Sequence, residues 1–506
     1  MRFARTKNTL RNIAFGAVNR VINIVLPFLA RTVILYVMGT QYLGLSSLFA
    51  SVLSFLSLTE LGIGAAMVYS MYKPIAENDH ALVKALLNLY RKLYRIIGTV
   101  ILAIGLLLMP VLRILVPEEL PSDINLYLLY FIYLINAVLS YWLFAYKNAL
   151  LQAYQRDDIN SKIASIITPA SYAVMLLCLF LTKNYYAYVI WLPVFTILTN
   201  FSRRFLASRT FPDMEPEGEV SSELKRSIFK KTAALIGTKL NTVVLNAADN
   251  LVMSAFLGLT VIAMYGNYHY IMTAVTGFTG IIYASMTAGL GNSLQTDSLD
   301  TNYRNFEKFS FINSWLVGWC TVCLVCLYQP FMEIWVGESL MFPFYVVLEM
   351  GLYFYIYQIR KIPVVYKDAA GIWWEDRFRP YICMVVNLVL NLVLVQIIGI
   401  SGIILSTVFS LFVSIPWENV TIFKHVFHRS SKSYYKKMLF SAAAMLLAGS
   451  VTFWICSLLE GGVLMFLLRM CVCVIVPNVM FALCSCKRPE FGDTMVLVRR
   501  ILRRQF

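Results

Sequence analysis

Apolar runs of about twenty residues, separated by short polar segments, fill almost all of this 506-residue sequence. A run of that length lets an α-helix cross a bilayer with every backbone polar group paired inside the segment. Charged residues make up only 14% of the chain, against about 25% in soluble proteins. The pattern predicts an all-α integral membrane protein of about fourteen transmembrane helices. The predicted spans are 12–38, 43–70, 94–116, 124–146, 163–182, 186–202, 232–256, 261–290, 309–330, 343–366, 380–398, 401–423, 438–459 and 463–485.

Lysine and arginine are distributed very unevenly between the two sides that these spans define. If the N-terminus is cytoplasmic, almost all of the 43 Lys and Arg residues lie in or beside cytoplasmic segments, and Lys183 alone lies in an outside loop. This excess is the positive-inside pattern, so both termini are predicted to be cytoplasmic. Topology and attraction to anionic membrane lipids account for the net charge of +16. No nucleic-acid partner is therefore predicted.

The longest polar interruption, 203–231, divides the predicted spans into two lobes of six helices and two further C-terminal helices. We predict an N-terminal lobe at 1–202, a cytoplasmic linker at 203–231 and a C-terminal lobe at 232–423. The remaining residues, 424–506, hold the last two helices and a basic cytoplasmic tail. The first span of each lobe ends in a glycine turn, at Gly39 and Gly258. Parallel six-helix repeats of this kind are typical of transporters that hold substrate between two halves.

Polar side chains inside the predicted spans form the candidate substrate site, because such groups are expensive in a bilayer and usually face a cavity or a partner. Arg20 and Arg31 lie about three helical turns apart on one face of the first span. The first span of the second lobe places Lys239, Asn246 and Asn250 on one stripe. Two cationic stripes predict a positively charged central cavity, and arginine suits a diphosphate through its planar fork. The alternative for Arg20, Arg31 and Lys239 is that each side chain extends its charge to the cytoplasmic interface.

Two further groups are candidates for coupling transport to Na⁺ or H⁺. Glu60 lies in the middle of the second predicted span. It is interpreted as a counter-ion for Arg31, as a proton carrier or as part of a structural ion pair. Asp249, Asn387, Asn391 and Thr407 offer oxygen ligands that suit a hard monovalent cation, and the alternative is interhelical hydrogen bonding. No cofactor and no other metal site are predicted.

The sequence contains no motif that indicates catalysis. It has no P-loop and no zinc-protease motif, and no outside loop is long enough for a catalytic domain. The chain is therefore predicted not to be an enzyme. Cys320, Cys323 and Cys326 follow one another at intervals of three along an apolar span, and they are interpreted as small packing residues.

Four segments in the first hundred residues resemble bacterial polysaccharide flippases of the Wzx type, which belong to the multidrug/oligosaccharidyl-lipid/polysaccharide exporter superfamily. They are TKNTLRNI (6–13), LARTVI (29–34), QYLGLSSLF (41–49) and LGIGAAMVYSMYKPIAEND (61–79). The resemblance implies a transporter in the bacterial plasma membrane that moves undecaprenyl-diphosphate-linked oligosaccharide repeat units to the outer leaflet by alternating access. A polymerase and chain-length proteins then act on the exported units to make capsule, exopolysaccharide or O-antigen.

The resemblance also bears on the predicted ion site, whose spacing is similar to a sodium site in the related peptidoglycan-precursor flippases. The departure is Asn391, where those proteins carry a second carboxylate. Two alternative functions fit the sequence less well. A drug or cation antiporter of the same superfamily is disfavoured by arginine on the first span, because its cavity is usually acidic. A membrane glycosyltransferase would need an outside catalytic loop.

Overall fold

The computed structural model describes residues 5–60, 62–372, 374–459 and 461–504. Some side chains inside helices, including those of Lys239 and Asn246, lie outside this description. All regular structure in these ranges is helical. The helices are α1 (Arg5–Val37), α2 (Thr40–Leu56), α3 (Ile63–Ala76), α4 (His80–Leu108), α5 (Leu112–Leu115), α6 (Leu126–Trp142), α7 (Ala145–Ala153), α8 (Asp157–Thr182), α9 (Tyr185–Val189), α10 (Trp191–Thr210), α11 (Ser222–Leu257), α12 (Leu259–Thr296), α13 (Leu299–Val336), α14 (Phe344–Ile359), α15 (Lys361–Ala370), α16 (Arg379–Ile398), α17 (Ile400–Ile422), α18 (Lys432–Ser457), α19 (Val463–Ser485) and α20 (Pro489–Arg504).

Every predicted span coincides with one or more of these helices. Within the described residues, eight helical segments are long and apolar enough to cross a membrane. Helices α6 and α7 meet at an angle of 48°. If they form one bent span, they are a ninth membrane-crossing segment among the described residues. The other predicted spans coincide with α2–α3, α9–α10, α11, α12 and α14–α15. The chain is an all-α, multi-pass membrane protein, as predicted, and α20 is an additional helix that the span pattern did not indicate.

The second predicted span, 43–70, is broken in the structure. Helix α2 passes into a 3-10 turn at Ser57–Glu60, and α3 begins after Gly62, whose φ is 85°. A residue with a side chain rarely adopts that backbone conformation, so glycine allows the chain to change direction here. The prediction that Glu60 lies in the middle of one continuous span is therefore wrong. Hydropathy alone does not reveal such a break, since the residues on both sides of it are apolar.

The two predicted glycine turns are present, and they are alike. Gly39 joins α1 to α2 with φ 103°, and Gly258 joins α11 to α12 with φ 87°. In each case a long helix ends at a glycine whose positive φ is unfavourable for a residue with a side chain, and a new helix begins directly after it. Both halves of the chain thus begin with the same helix–glycine–helix arrangement.

The chain forms two compact units, Met1–Ala263 and Met264–Phe506. In the first unit, α1 packs against α8 and α2, and α2 packs against α11. The core contains Phe49, whose ring centroid lies 5.6 Å from that of Tyr130 and 5.5 Å from that of Tyr133. The Tyr133 hydroxyl is also 3.1 Å from that of Tyr185. The hydroxyl groups of Tyr133 and Tyr185 are therefore paired with each other, and that of Tyr130 donates to the Gly105 carbonyl oxygen.

Helices α10 and α11 extend into the predicted linker and leave a short loop, 211–221, between them. Lys147 of α7 is fully buried, and its Nζ lies 2.7 Å from Oε1 of Glu215 in this loop. Burial alone would raise the pKa of Glu215, but the hydrogen bond and charge of Lys147 lower it. Alternate residues of the loop make two further ion pairs, Lys84–Glu217 and Lys92–Glu219. The acidic loop is thus attached to the ends of α4 and α7.

In the second unit, α13 packs against α14, α18 and α19. Helices α16 and α17 form a close antiparallel pair, and α17 packs against α14. An aromatic cluster joins the ends of several of these helices around Phe306, which is fully buried. Its ring lies 4.9 Å from Phe427, 5.2 Å from Tyr366 and 5.3 Å from Tyr434, measured between centroids. This cluster holds α13, α15 and α18 together at one end of the unit.

Candidate substrate and ion sites

Arg31 of α1 is half-buried, and its guanidinium is fixed against a second helix. Its Nη2 donates a hydrogen bond to the main-chain oxygen of Ala263 in α12, 3.0 Å away. Arg20, on the same helix, is exposed. The two arginines of the predicted stripe therefore differ in environment, because Arg31 is held by a neighbouring helix and Arg20 is exposed.

Asn250, the predicted partner of this stripe on α11, lies against α2. Its Nδ2 donates to Oγ of Ser51 at 2.9 Å, and Ser51 is buried. Asp249, the next residue on α11, is also buried. The side chains of Lys239 and Asn246 lie outside the described part of the structure, so the second cationic stripe stays a prediction.

The corner between α11 and α12 approaches α2 very closely at Gly44. A Cβ atom at this position would lie 2.8 Å from the carbonyl carbon of Leu259. The same corner is held by Glu118, whose Oε1 accepts a hydrogen bond from the Leu259 amide at 2.8 Å. Gly44 thus allows the close packing that places α12 beside Arg31.

We expect Gly44→Ala to destabilise the protein by about 1–3 kcal/mol, because the added methyl group meets backbone atoms that must move. Thermal unfolding of the purified protein measures the effect. Gly280→Ala is the matched control, since a Cβ atom there meets no atom of the described residues within 4 Å. Equal stability of the Gly44 and Gly280 variants would contradict this account of the packing.

Glu60 lies in a cluster of tyrosines at the end of α2. Its Oε1 accepts a hydrogen bond from the hydroxyl of Tyr94 in α4. Tyr90 stacks on Tyr94 with 4.1 Å between ring centroids, and Tyr141 lies 5.6 Å from Tyr94. Gly64 leaves room for this cluster, because a Cβ atom there would lie 2.9 Å from the Tyr94 hydroxyl. The structure thus gives Glu60 a tyrosine partner, and its role as a counter-ion or proton carrier stays a prediction.

Three of the four residues of the predicted cation site meet in the second unit. Nδ2 of Asn387 donates to Oγ1 of Thr407 at 3.1 Å, and Nδ2 of Asn391 donates to Oδ1 of Asn387 at 3.3 Å. All three side chains are buried. The Asn387–Thr407 bond joins α16 to α17 and is an interhelical contact of the kind that the alternative interpretation predicts, whereas the Asn391–Asn387 bond lies within α16. Asp249 belongs to the first unit, and occupancy by a cation stays a prediction.

A buried ionic network in the second unit was missed by the sequence analysis. Arg379, at the start of α16, forms a bidentate pair with Asp376, with Nε–Oδ1 and Nη2–Oδ2 distances of 2.7 Å. Nζ of Lys367 lies 2.6 Å from Oδ2 of the same aspartate. On the other side, Nη1 of Arg379 lies 3.0 Å from Oε1 of Glu418, which Arg360 approaches at 3.5 Å. Five charged groups from α14–α15, the following loop, α16 and α17 are thus linked.

The Asp376 carboxyl shows how strongly this network acts. Burial alone would raise its pKa, but hydrogen bonds and charges from Arg379 and Lys367 hold the pKa below its usual value. The signal for the network was present in the sequence, because Glu418 lies inside the predicted span 401–423. A carboxylate inside an apolar span needs a compensating cation, but the identity of that cation is not visible in the sequence.

No family model matches the sequence, and no curated protein matches it. The structure resembles solved membrane transporters. The lipid II flippase MurJ in its inward closed conformation matches with a TM-score of 0.64 and 14% identity, covering 93% of this chain and 98% of the flippase. A multidrug resistance MATE family transporter of the MOP superfamily, in an inward-facing conformation, matches with a TM-score of 0.59 and 14% identity, covering 78% and 94%. A MATE protein in a bent conformation gives a TM-score of 0.53 at 13% identity, covering 82% and 95%. The chain therefore has the fold shared by the lipid II flippase and the MATE transporters.

Proposed function

We propose that this protein is a flippase that moves undecaprenyl-diphosphate-linked oligosaccharide repeat units from the inner to the outer leaflet of the bacterial plasma membrane. The observation that carries the proposal is the extent of the structural likeness. It covers 93% of this chain against the lipid II flippase but 78% against the MATE transporter. A polymerase and chain-length proteins are the proposed downstream partners, and the product is capsule, exopolysaccharide or O-antigen.

The environment of Arg31 supports an anionic, phosphate-bearing substrate. The guanidinium of Arg31 presents N–H donors in a planar fork that matches the geometry of a diphosphate, and its hydrogen bond to the Ala263 carbonyl orients it. The half-buried position strengthens such charge-assisted bonds, because the local dielectric is lower than in water. Arg20, Asn250 and Lys239 are the further proposed substrate contacts.

The direct test is loss of the protein in its host. A strain that lacks it should accumulate lipid-linked repeat units in the inner leaflet and lose the surface polymer, and the cloned chain should restore both. Accessibility of the lipid-linked sugar to an added lectin, in inverted and right-side-out vesicles, reports the leaflet. Normal polymer export in the deletion strain would contradict the proposed function.

The proposed orientation, with both termini cytoplasmic, has its own prediction. Single cysteines near Ser122, Asn184 and Gly461, in a cysteine-free background, should react with an impermeant thiol reagent added to whole cells. Cysteines near Gly218, Ser298 and Ser431 should react only after the membrane is permeabilised. The reverse labelling pattern would overturn the orientation.

Ion coupling is proposed through Na⁺ or H⁺. If Na⁺ binds at Asn387, Asn391 and Thr407, it should raise the thermal stability of the purified protein relative to K⁺, because it binds the folded state preferentially. Asn387→Ala should remove that difference, while Gln396→Ala, on the exposed side of α16, should keep it. Equal stability of the unsubstituted protein in both salts would exclude sodium and leave proton coupling through Glu60.

An antiporter of cationic drugs is the second candidate, and the Glu60 cluster is the observation that favours it. A carboxylate surrounded by aromatic rings suits an organic cation, through charge and through cation–π contact. This candidate predicts that the chain protects a drug-sensitive strain, and that Glu60→Gln removes the protection. The flippase predicts no change in drug sensitivity.

A further inference from the structure

Three cysteines from three helices converge in the second unit. Cys326 of α13, Cys456 of α18 and Cys473 of α19 are all buried, and their sulfur atoms lie within 4.8 Å of one another. The sulfur atoms of Cys456 and Cys473 are 4.0 Å apart. In the sequence Cys326 belongs to a row of cysteines along one helix, whereas the fold places it beside two cysteines from distant parts of the chain. This set of three residues is the thiol triad.

The spacing of the thiol triad suits a metal ion. The centre of an equilateral triangle whose sides equal the 4.0 Å between Cys456 and Cys473 lies about 2.3 Å from each corner, which is the length of a zinc–thiolate bond. Thiolate ligands select soft ions such as Cu⁺ and Zn²⁺ over the hard ions that prefer oxygen. We propose that the thiol triad binds one soft, closed-shell metal ion, Zn²⁺ or Cu⁺, which ties α18 and α19 to α13.

Charge balance at this site involves Arg469 of α19. Its Nη2 donates to the Leu459 carbonyl, its Nε has no hydrogen-bond partner among the described residues, and the guanidinium interacts electrostatically with Cys456. Three thiolates and one Zn²⁺ carry a net charge of −1, which Arg469 offsets. Such compensation is needed because the triad is packed among apolar side chains, which do not stabilise an isolated charge.

Metal binding converts thiols to thiolates, and the balance of the reaction is defined. Each sulfur that bonds the ion releases its proton to solvent, so binding of Zn²⁺ by three thiols releases up to three protons. Affinity should therefore rise with pH. The ion changes neither its own oxidation state nor that of sulfur, so the step needs no oxidant or reductant.

The test uses the full chain, purified in detergent under reducing conditions, freed of metal with a chelator and titrated with Cd²⁺. The ultraviolet charge-transfer absorption of cadmium–thiolate bonds should saturate at one ion per chain, and Cd²⁺ should raise the thermal stability of the unsubstituted protein. Competition by Zn²⁺ and by Cu⁺ then identifies the preferred ion. Absence of both the absorption and the stabilisation would overturn the proposal, and this result does not depend on any variant folding.

Two variants locate the ion. Cys473→Ser should abolish the absorption, whereas Cys323→Ser, one helical turn from Cys326 and outside the triad, should retain it. Arg469→Met should weaken Cd²⁺ binding by about tenfold, the size of effect expected of a supporting group. Unchanged binding by Cys473→Ser would overturn the site. A second result would also overturn the site: protein purified in air contains a Cys456–Cys473 disulfide, and the same protein binds no Cd²⁺ after that disulfide is reduced.

Discussion

Replacing Arg31 with alanine should stop export of the surface polymer while the protein remains in the membrane. The proposed role of this residue is to bind the diphosphate of the lipid carrier, and no other side chain at that position presents a bidentate fork. Lipid-linked repeat units should then accumulate in the inner leaflet. Surface polysaccharide in a flippase-null strain that carries the variant, normalised to protein abundance, is the measurement.

Two companion variants separate charge from geometry. Arg31→Lys should restore export only partly, because an ammonium group keeps the charge but lacks the planar fork. Arg20→Ala should be milder than Arg31→Ala, since Arg20 is exposed and Arg31 is half-buried against α12. Full export by Arg31→Ala at normal abundance would show that the residue has no part in transport. Loss of the protein itself would indicate that Arg31 serves folding.

Replacing Asp376 with alanine should cost about 3–5 kcal/mol of stability, because it removes the carboxylate that lies closest to two buried cations. Lys367 and Arg379 are each almost fully buried and both contact this carboxylate. Asp368 provides a matched control, since it also pairs with Lys367, but at 3.8 Å and with its side chain 46% exposed. Asp368→Ala should cost at most about 1 kcal/mol, as for other exposed pairs. Thermal unfolding of the purified variants compares the two, and equal losses would contradict the role given to burial.

The same network predicts a dependence on pH. The pKa of Asp376 is lowered in the folded protein, so its contribution to stability is present above the unfolded pKa of about 4 and is lost as pH falls through the lower folded value. The difference in unfolding temperature between the unsubstituted protein and Asp376→Ala should therefore shrink in strongly acidic buffer. A difference that stays constant as pH falls from neutral to below that range would show that Asp376 acts through packing and not through charge.

Helix content and membrane location followed from the sequence, because hydropathy is a local property that each run of residues carries by itself. The glycine turns at Gly39 and Gly258 were also visible, since a glycine between two apolar runs marks a place where the chain turns. The break at Gly62 was not visible. It depends on one backbone angle inside an apolar stretch that reads equally well as a single span.

Side-chain partners were decided by the tertiary structure. The sequence marked Arg31 and Glu60 as costly residues within the membrane, but only the fold shows that Arg31 contacts the Ala263 carbonyl and Glu60 the Tyr94 hydroxyl. Likewise, the thiol triad and the network around Arg379 join residues from separate helices. The physical reason is that the cost of burying a polar group is a property of the residue, whereas the group that offsets it is selected by packing between distant segments.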